Sequence, residues 1–144
     1  MSRGEIPVRG DYRVFYPIST RWSDNDIYGH VNNVTYYSYF DTAANRYLIE
    51  EGGLDISDGT TVGYVVNSGC EYHAPLTYPE PIEAGLRVDR LGSSSVQYGL
   101  AIFREGEDRA VANGHFVHVF VDRAANRSVP IPPALRAALE RLLS

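Results

Sequence analysis

The sequence contains no lysine, and all 13 of its cationic residues are arginines. This absence excludes a lysine Schiff base, a phosphate-binding P-loop lysine and a lysine general base. The 18 acidic residues give a formal net charge of −5 and a pI near 5.3. An acidic chain of this kind argues against a polybasic membrane patch or a general nucleic-acid surface. We therefore expect neither nucleic acid nor a membrane as a partner.

Cysteine is almost as scarce, with Cys70 as its single instance. One cysteine excludes an intramolecular disulfide and any zinc or iron–sulfur site built from a cysteine cluster. No run of about 18 apolar residues is present, so no transmembrane helix is expected. Residues 1–10 alternate charge, proline and glycine and lack the apolar segment of a signal peptide. These features predict a cytoplasmic protein.

The 144 residues, 44% of them hydrophobic and 11 of them tyrosine, are enough to bury the core of one domain. We expect residues 1–11 to be a flexible lead and residues 12–144 to form that domain. Sequence repeats and low-complexity tracts are absent.

One long helix is predicted after residue 33. Asn32 or Asn33 can cap it, because a short amide side chain accepts hydrogen bonds from the free N–H groups of the first turn. Its apolar positions follow a spacing of three and four, at Tyr36, Phe40, Ala43, Ala44 and Tyr47. Gly52-Gly53 is expected to end it, since glycine adopts the left-handed conformation without steric cost.

The rest of the chain carries strand patterns. Strands are predicted over 13–21, 61–72, 82–89, 96–102 and 110–121, and a short amphipathic helix over 134–143. Short turns between consecutive strands indicate an antiparallel sheet. The fold class is therefore α+β, with a sheet of about five strands wrapped around one long helix. The strand over 110–121 is apolar on both faces and suits a central position.

Polar residues concentrate in the loop that precedes the long helix. Asp26 lies six residues before the proposed cap Asn32. A helix N-terminus offers free N–H donors and partial positive charge, where a carbonyl oxygen could be stabilised. With a nearby carboxylate, these are the parts needed to hydrolyse an activated acyl group. The alternative is that these aspartates and asparagines only form turns and caps.

The loop matches two kinds of metal site in part. Asp24, Asp26 and Gly29 match positions 1, 3 and 6 of a calcium-binding loop, but position 5 is Tyr28 and position 12 is Thr35 instead of glutamate, and this excludes the site.

A zinc site at His30 lacks a convincing third ligand. His115 and His118 are three residues apart in a strand and therefore point to opposite faces. We expect no metal and no cofactor.

Residues 24–33 read Asp-Asn-Asp-Ile-Tyr-Gly-His-Val-Asn-Asn and lead through Tyr36-Tyr37 and Phe40-Asp41 into the long helix. This segment resembles the motif of hotdog-fold acyl-CoA thioesterases of the 4-hydroxybenzoyl-CoA thioesterase family. The resemblance continues through 67–75, 117–122 and 130–132, and it covers about residues 12–143. It implies a hotdog fold and a homodimer or a tetramer of dimers. It also implies an acyl-CoA substrate, so that coenzyme A is part of the substrate and not a cofactor.

The resemblance also implies roles for single residues. Asp26 would be the catalytic nucleophile or the general base for water, and the backbone N–H of Asn33 would polarise the thioester carbonyl. Gly29 would let the backbone approach the substrate. His30 and Asn32 would orient the loop or the thioester, although His30 could equally just hold the loop.

The remaining implied residues belong to the substrate-binding surface. Asn67 and Ser68 of a partner subunit would complete the site, unless they only pair within their strand. Family members bind coenzyme A phosphates with basic residues near the turn after the third strand, which here is Gly92 to Ser95 with Arg90 just before it. Other arginines that could take this task by location are Arg87, Arg104, Arg123 and Arg127.

Together these inferences predict a thioesterase that hydrolyses an acyl-CoA. Two alternatives stay open at this point. The first is a thioesterase acting on acyl carrier protein, and the second is a hotdog protein that binds acyl-CoA without turnover. The sequence does not specify the acyl group, and it does not specify whether the protein is a dimer or a tetramer.

Overall fold

A computed structural model describes residues 5–57 and 59–143 of the chain. Its strands are β1 (Val14–Ile18), β2 (Thr61–Tyr72), β3 (Ile82–Leu91), β4 (Ser95–Arg104), β5 (Ala112–Asp122) and β6 (Arg127–Ser128). Its helices are α1 (Thr35–Glu50) and α2 (Pro133–Glu140), and short 3-10 turns lie at Arg9–Asp11 and Trp22–Asp24. Within these described ranges, no helix is long and apolar enough to cross a membrane.

The sheet is antiparallel throughout, with the strand order β1-β3-β4-β5-β2 and the short β6 paired to β5. It curls around α1, and the core lies between its inner face and the helix. This architecture confirms the predicted α+β class with one long helix. It also places β5 between β4 and β2, as its two apolar faces predicted.

Helix α1 packs on the sheet through the face that the sequence predicted. Its buried residues are Tyr36, Tyr39, Phe40, Ala43, Ala44, Tyr47 and Leu48. The helix ends before Gly53, whose φ of 71° lies in the left-handed region. Gly52 is needed for packing, because a Cβ there would lie 2.3 Å from Leu135 Cδ1. The predicted end of the helix is thus confirmed.

Strand boundaries follow the sequence pattern closely. β2 runs over Thr61–Tyr72 as predicted, whereas β1 is shorter than the predicted 13–21 and ends at Ile18. The two-residue β6 was not predicted, because its pairing with β5 is a tertiary contact and its own sequence has no alternating pattern. The helix over 134–143 is found three residues shorter at its C-terminal end, at Glu140.

The two histidines of β5 point to opposite faces, as expected from the alternation of a strand. His118 is 1% exposed and lies inside, where its Nδ1 is 3.1 Å from the hydroxyl oxygen of Tyr98. His115 lies on the outer face, with its Nε2 2.6 Å from Asn67 Oδ1. They cannot share a ligand.

The N-terminal lead makes backbone contacts from Pro7 onward. The carbonyl of Pro7 accepts a hydrogen bond from the N–H of Ala110, and Val8 forms a bridge with Arg109. The guanidinium of Arg9 lies 4.9 Å from the centre of the Phe103 ring on the outer face of the sheet. Residues 1–4 of the lead lie outside the described residues, and the domain boundary at residue 12 stays a prediction.

Candidate active site

The first aspartate of the loop, Asp24, is an anchor. It is 1% exposed, and its Oδ2 accepts hydrogen bonds from the N–H of Arg21 at 2.8 Å and the hydroxyl of Tyr39 at 2.7 Å. Its Oδ1 accepts from Arg21 Nε at 3.1 Å. A buried carboxylate requires such partners, since an unpaired charge in the interior is costly. Asp24 therefore holds the loop in place and does not reach a substrate.

The second aspartate, Asp26, is only half-buried. Its backbone N–H donates to the carbonyl of His30, and its own carbonyl accepts from the N–H of Gly29, both at 3.0 Å. Its Oδ1 accepts from the N–H of Tyr28 at 2.9 Å. Oδ2 has no hydrogen-bond partner within the described ranges. One carboxylate oxygen is thus held in a turn while the other is free to act.

Gly29 makes this turn possible. Its φ is 81°, a conformation that disfavours residues with a side chain. An added Cβ would meet nothing within 4 Å. Within this chain the requirement for glycine is therefore conformational, whereas close approach of a substrate stays a prediction.

Asn32 lies in the turn that precedes the helix. Its Oδ1 accepts from the N–H of Val34 at 3.0 Å, and its carbonyl accepts from the N–H of Thr35 at 2.9 Å. α1 itself begins at Thr35 with Val34 at its N-cap position and no side-chain cap, so the predicted cap at Asn32 or Asn33 is wrong. The N–H of Asn32 donates to the Asp24 carbonyl at 2.9 Å, which closes the loop.

The N–H of Asn33 is left without an acceptor among the described residues. The carbonyl of Asn33 accepts from the hydroxyl of Tyr72 at 2.7 Å, so the residue is fixed while its N–H stays available. The Tyr72 ring meets the Tyr36 ring edge-on, with centroids 5.1 Å apart. A free donor at the start of a 16-residue helix is suited to an anionic oxygen.

A cavity of about 310 Å³ opens beside this N–H. It is lined by His30, Val31, Asn33, Tyr36, Tyr72, His73, Ala74 and Pro75. His73 is oriented by Asn113, whose Oδ1 is 2.5 Å from His73 Nε2. Burial raises the pKa of Tyr36 to about 12, so its hydroxyl stays protonated. The sequence analysis missed Tyr36, Tyr72 and His73 as lining residues, although two of them lie in the 67–75 segment of the resemblance.

Asp26 lies in a second, neighbouring groove of about 630 Å³. Its lining consists of Trp22, Ser23, Asn25, Asp26, Ile27, Tyr28 and Asn32. Asp26 and Asn32 line this groove, whereas His30 and Asn33 line the cavity. All five predicted loop residues, Gly29 included, lie in the one loop between β1 and α1.

Residues 75–80 support the loop from outside. The N–H of Val31 donates to the carbonyl of Leu76 at 2.8 Å, and the N–H of Tyr78 donates to Asn25 Oδ1 at 3.1 Å. Arg104 holds this supporting segment in turn, because its Nε donates to Glu80 Oε2 at 2.7 Å and its Nη2 donates to the Pro75 carbonyl. We refer to these contacts of Arg104 with residues 75–80 as the brace. No local sequence pattern could reveal it, because Arg104 and residues 75–80 are distant in sequence.

The two predicted strand residues face opposite ways. Asn67 lies on the outer face of the sheet with His115, whereas Ser68 is paired with Phe116 and shares the α1 side. Both are exposed. The strand alternation could have predicted this difference. Of the two, only Ser68 lies on the side of the sheet that holds the cavity.

The predicted phosphate ligand Arg90 lies far from Asp26 in the same chain. The loop follows β1, whose last residue Ile18 pairs with Ile82 at the start of β3, and Arg90 is eight residues farther along that strand. This spacing corresponds to roughly 25 Å.

The other candidate arginines differ in their partners. Arg87 pairs with Asp89, Arg104 belongs to the brace, and Arg123 donates to the carbonyls of residues 56 and 57. Arg90 and Arg127 have no side-chain partner within the described ranges.

Two other kinds of site find no support in the part of the chain that the structure describes. No group of three or more histidine, cysteine, aspartate or glutamate side chains there could hold a metal ion. Burial raises the pKa of the Cys70 thiol to about 11, which keeps it protonated and unsuited to act as a nucleophile.

Comparison with known proteins places this loop and fold in a family. A profile of the thioesterase-like superfamily matches residues 20–139. The crystal structure of the PA5185 protein from Pseudomonas aeruginosa strain PAO1 is 62% identical, with a TM-score of 0.96 over 97% of this chain and 98% of that one. A second Pseudomonas aeruginosa protein, PA2801, is provisionally assigned as a thioesterase. It is 32% identical, with a TM-score of 0.79 over 87% of this chain and 96% of its own.

A gentisyl-coenzyme A thioesterase shares the fold, with 24% identity and a TM-score of 0.78 over 88% of this chain and 99% of its own. These likenesses confirm the predicted hotdog fold. The family match extends from the strand-to-helix loop through α2 and covers well over half of the sequence. The chain therefore belongs to the thioesterase-like superfamily.

Proposed function

We propose that this protein hydrolyses an acyl-CoA thioester to a free acid and coenzyme A. The observation that carries the proposal is the N–H of Asn33, which has no acceptor among the described residues, in a residue that lines the cavity just before the start of α1. In a member of the thioesterase-like superfamily, such a donor is placed to stabilise the oxygen of a thioester carbonyl. Asp26 supplies a carboxylate from the same turn.

The chemistry needs two actions. The Asn33 N–H, strengthened by the helix dipole, donates to the carbonyl oxygen as negative charge develops there. Asp26 then either removes a proton from the attacking water or attacks the carbonyl carbon itself, giving an anhydride that water cleaves. In both routes the carbon–sulfur bond breaks, the coenzyme A sulfur leaves as thiolate and takes up a proton, and water supplies the new oxygen.

The other loop residues support these two groups. Asn32 accepts a hydrogen bond from Val34 across Asn33 and so helps to fix the direction of the Asn33 N–H. His30 accepts the backbone hydrogen bond of Asp26 and also lines the cavity, so it can orient the loop and the thioester together. Gly29 provides the left-handed turn between them.

A second copy of the chain is proposed to complete the site. β2 is an edge strand of 12 residues whose outer edge carries exposed apolar side chains, with Val65 at 45% and Val66 at 60%. A long apolar edge of this kind favours pairing with another strand. An antiparallel pairing of two β2 strands about their midpoint would set the Thr61 end of one beside the Tyr72 end of the other.

This pairing would also bring arginines of the second copy towards the loop, where they could bind the coenzyme A phosphates. The Tyr72 end carries the loop, since Tyr72 bonds to Asn33, whereas the Thr61 end lies beside Arg123. Arg127, in β6, is on the same end of the sheet and is free to bind an anion. A partner's arginines are therefore better placed for the phosphates than those of the same chain. Arginine suits this task through its bidentate hydrogen bonds.

Hydrolysis of matched substrates tests the proposed activity. The purified protein is given the same acyl group on coenzyme A and on an acyl carrier protein, with short, long and aromatic acyl groups. Turnover of the acyl-CoA with a higher kcat/KM supports the proposal. Preference for the carrier protein changes the substrate, and tight acyl-CoA binding without turnover contradicts hydrolysis.

The interface is tested by Val66→Lys, with Ile49→Lys as the control. Ile49 is also exposed, at 41%, but lies on α1 away from the sheet edge. A lysine at the centre of the β2 edge should lower the oligomeric mass measured by light scattering, and it should lower activity in parallel. An unchanged mass in the Val66 variant would contradict pairing through β2.

A further inference from the structure

Tyr39 links the core to the catalytic loop through one hydrogen bond. It lies on the buried face of α1 with 4% of its surface exposed, and its hydroxyl donates to Asp24 Oδ2 at 2.7 Å. The other side-chain partner of Asp24 is Arg21, whose side chain is 68% exposed. Tyr39 is therefore the rigid partner, because an exposed arginine holds its position weakly in water.

Asp24 in turn fixes both ends of the loop. Its carbonyl accepts from the N–H of Asn32, and this bond holds the residue that precedes Asn33 in the turn before α1. Asp26, two residues after Asp24, is enclosed by this closure and by its own bond to His30. The Asp26 carboxylate and the Asn33 N–H of the proposed reaction are thus both positioned by the hydrogen bonds of Asp24 and its loop.

The hydroxyl of Tyr39 is suited to act as a permanent donor. Burial, together with its hydrogen bond to Asp24, raises its pKa, so it keeps its proton across the range in which proteins are stable. Its ring contacts Tyr36 with centroids 6.0 Å apart, and Tyr36 lines the cavity. Tyr39 therefore contacts Asp24 of the loop and Tyr36 of the cavity lining, but it does not itself line the cavity.

We infer that Tyr39 is a positioning residue, which sets Asp26 and the Asn33 N–H relative to one another through its hydrogen bond to Asp24. The inference rests on the proposed thioester hydrolysis. Small displacements of reacting groups are expensive in catalysis, and about 1 Å can cost roughly 100-fold in rate. Loss of this single bond should therefore affect the rate more than it affects substrate binding.

The chain offers a matched control in Tyr47. It is also on the buried face of α1, is 3% exposed, and its hydroxyl donates to the carbonyl of Ala138 at 2.5 Å. Tyr39→Phe and Tyr47→Phe each remove one buried hydroxyl from the same helix and leave the ring. Each should lower the thermal midpoint by a few degrees, because one buried hydrogen bond is lost. Of these two hydrogen bonds, only that of Tyr39 is made to a residue of the loop.

The experiment compares kcat and KM of the two variants and adds hydrogen–deuterium exchange over residues 21–33. For Tyr39→Phe we expect kcat to fall about 10- to 100-fold with KM changed less than about threefold. Exchange of the loop amides should become faster. Tyr47→Phe should lose similar thermal stability while kcat and loop exchange stay close to the parent.

Equal effects of the two variants on kcat, or unchanged loop exchange in Tyr39→Phe, would overturn the inference. If the parent protein hydrolyses no acyl-CoA, the proposed function fails, and the exchange comparison alone then decides whether Tyr39 holds the loop. If the parent is active and Tyr39→Phe matches it in both measurements, only the role of Tyr39 fails.

Discussion

Acid should destabilise this protein through His118, and the structure gives the size of the effect. The imidazole is 1% exposed among the rings of Tyr98, Phe116 and Phe120. Burial lowers its pKa from 6.5 to about 4 in the folded chain. Between these values the unfolded chain binds a proton that the folded chain rejects, so the free energy of unfolding rises with pH.

The magnitude follows from the two pKa values. Each pKa unit corresponds to about 1.4 kcal/mol, so the full shift would cost roughly 3 kcal/mol once the pH is below 4. At pH 5 the same two values give a loss of about 2 kcal/mol relative to pH 8. Above about pH 7.5 the group contributes almost no pH dependence, because it is then neutral in both states.

The assay is urea unfolding at pH 8 and pH 5 for the parent and for His118→Gln, which keeps a polar side chain that does not titrate. The difference between the two pH values should be about 2 kcal/mol smaller in the variant. His115→Gln is the control, since it removes an imidazole from the outer face of the same strand. A pH difference that stays the same in His118→Gln, or that shrinks equally in both variants, would refute the reasoning.

Three further changes test the packing around the loop and helix. Gly52→Ala should cost about 2 kcal/mol in urea unfolding, because the new Cβ would lie 2.7 Å from the backbone carbonyl oxygen of Leu48 and 2.3 Å from Leu135 Cδ1, whereas Gly10→Ala meets nothing within 4 Å and should cost little. Gly29→Ala should cost about 1 kcal/mol by the same assay, owing to its φ of 81°. Arg104→Gln should lower the thermal midpoint by a few degrees and speed hydrogen exchange over residues 75–80, and unchanged exchange there would contradict the brace.

Local pattern was sufficient for the two helices and for the existence of the five longer strands of this fold. The spacing of apolar residues predicted the buried face of α1, and the run over 61–72 predicted β2 at its observed limits. The left-handed turn at Gly53 follows from the absence of a side chain at that residue. Such features depend on neighbours in sequence, which is why they could be predicted.

The different environments of the two aspartates, one buried and one half-buried, could not be predicted in this way. Asp24 and Asp26 stand in the same polar stretch, but Asp24 is buried with a hydrogen bond from Tyr39, 15 residues away, whereas Asp26 is half-buried. The lining of the cavity by Tyr72 and the brace at Arg104 depend likewise on tertiary contacts. By contrast, the opposite orientations of Asn67 and Ser68 followed from strand alternation and could have been predicted.

The most direct test of the proposed mechanism is the acyl-CoA turnover of Asp26→Asn beside that of Asp108→Asn. Asp108 is exposed and lies in the turn between β4 and β5, far along the chain from the loop. Loss of the Asp26 carboxylate should lower kcat by about 1,000-fold or more while the thermal midpoint stays near that of the parent. The Asp108 variant should keep full activity. Full activity in a folded Asp26→Asn protein would contradict the mechanism.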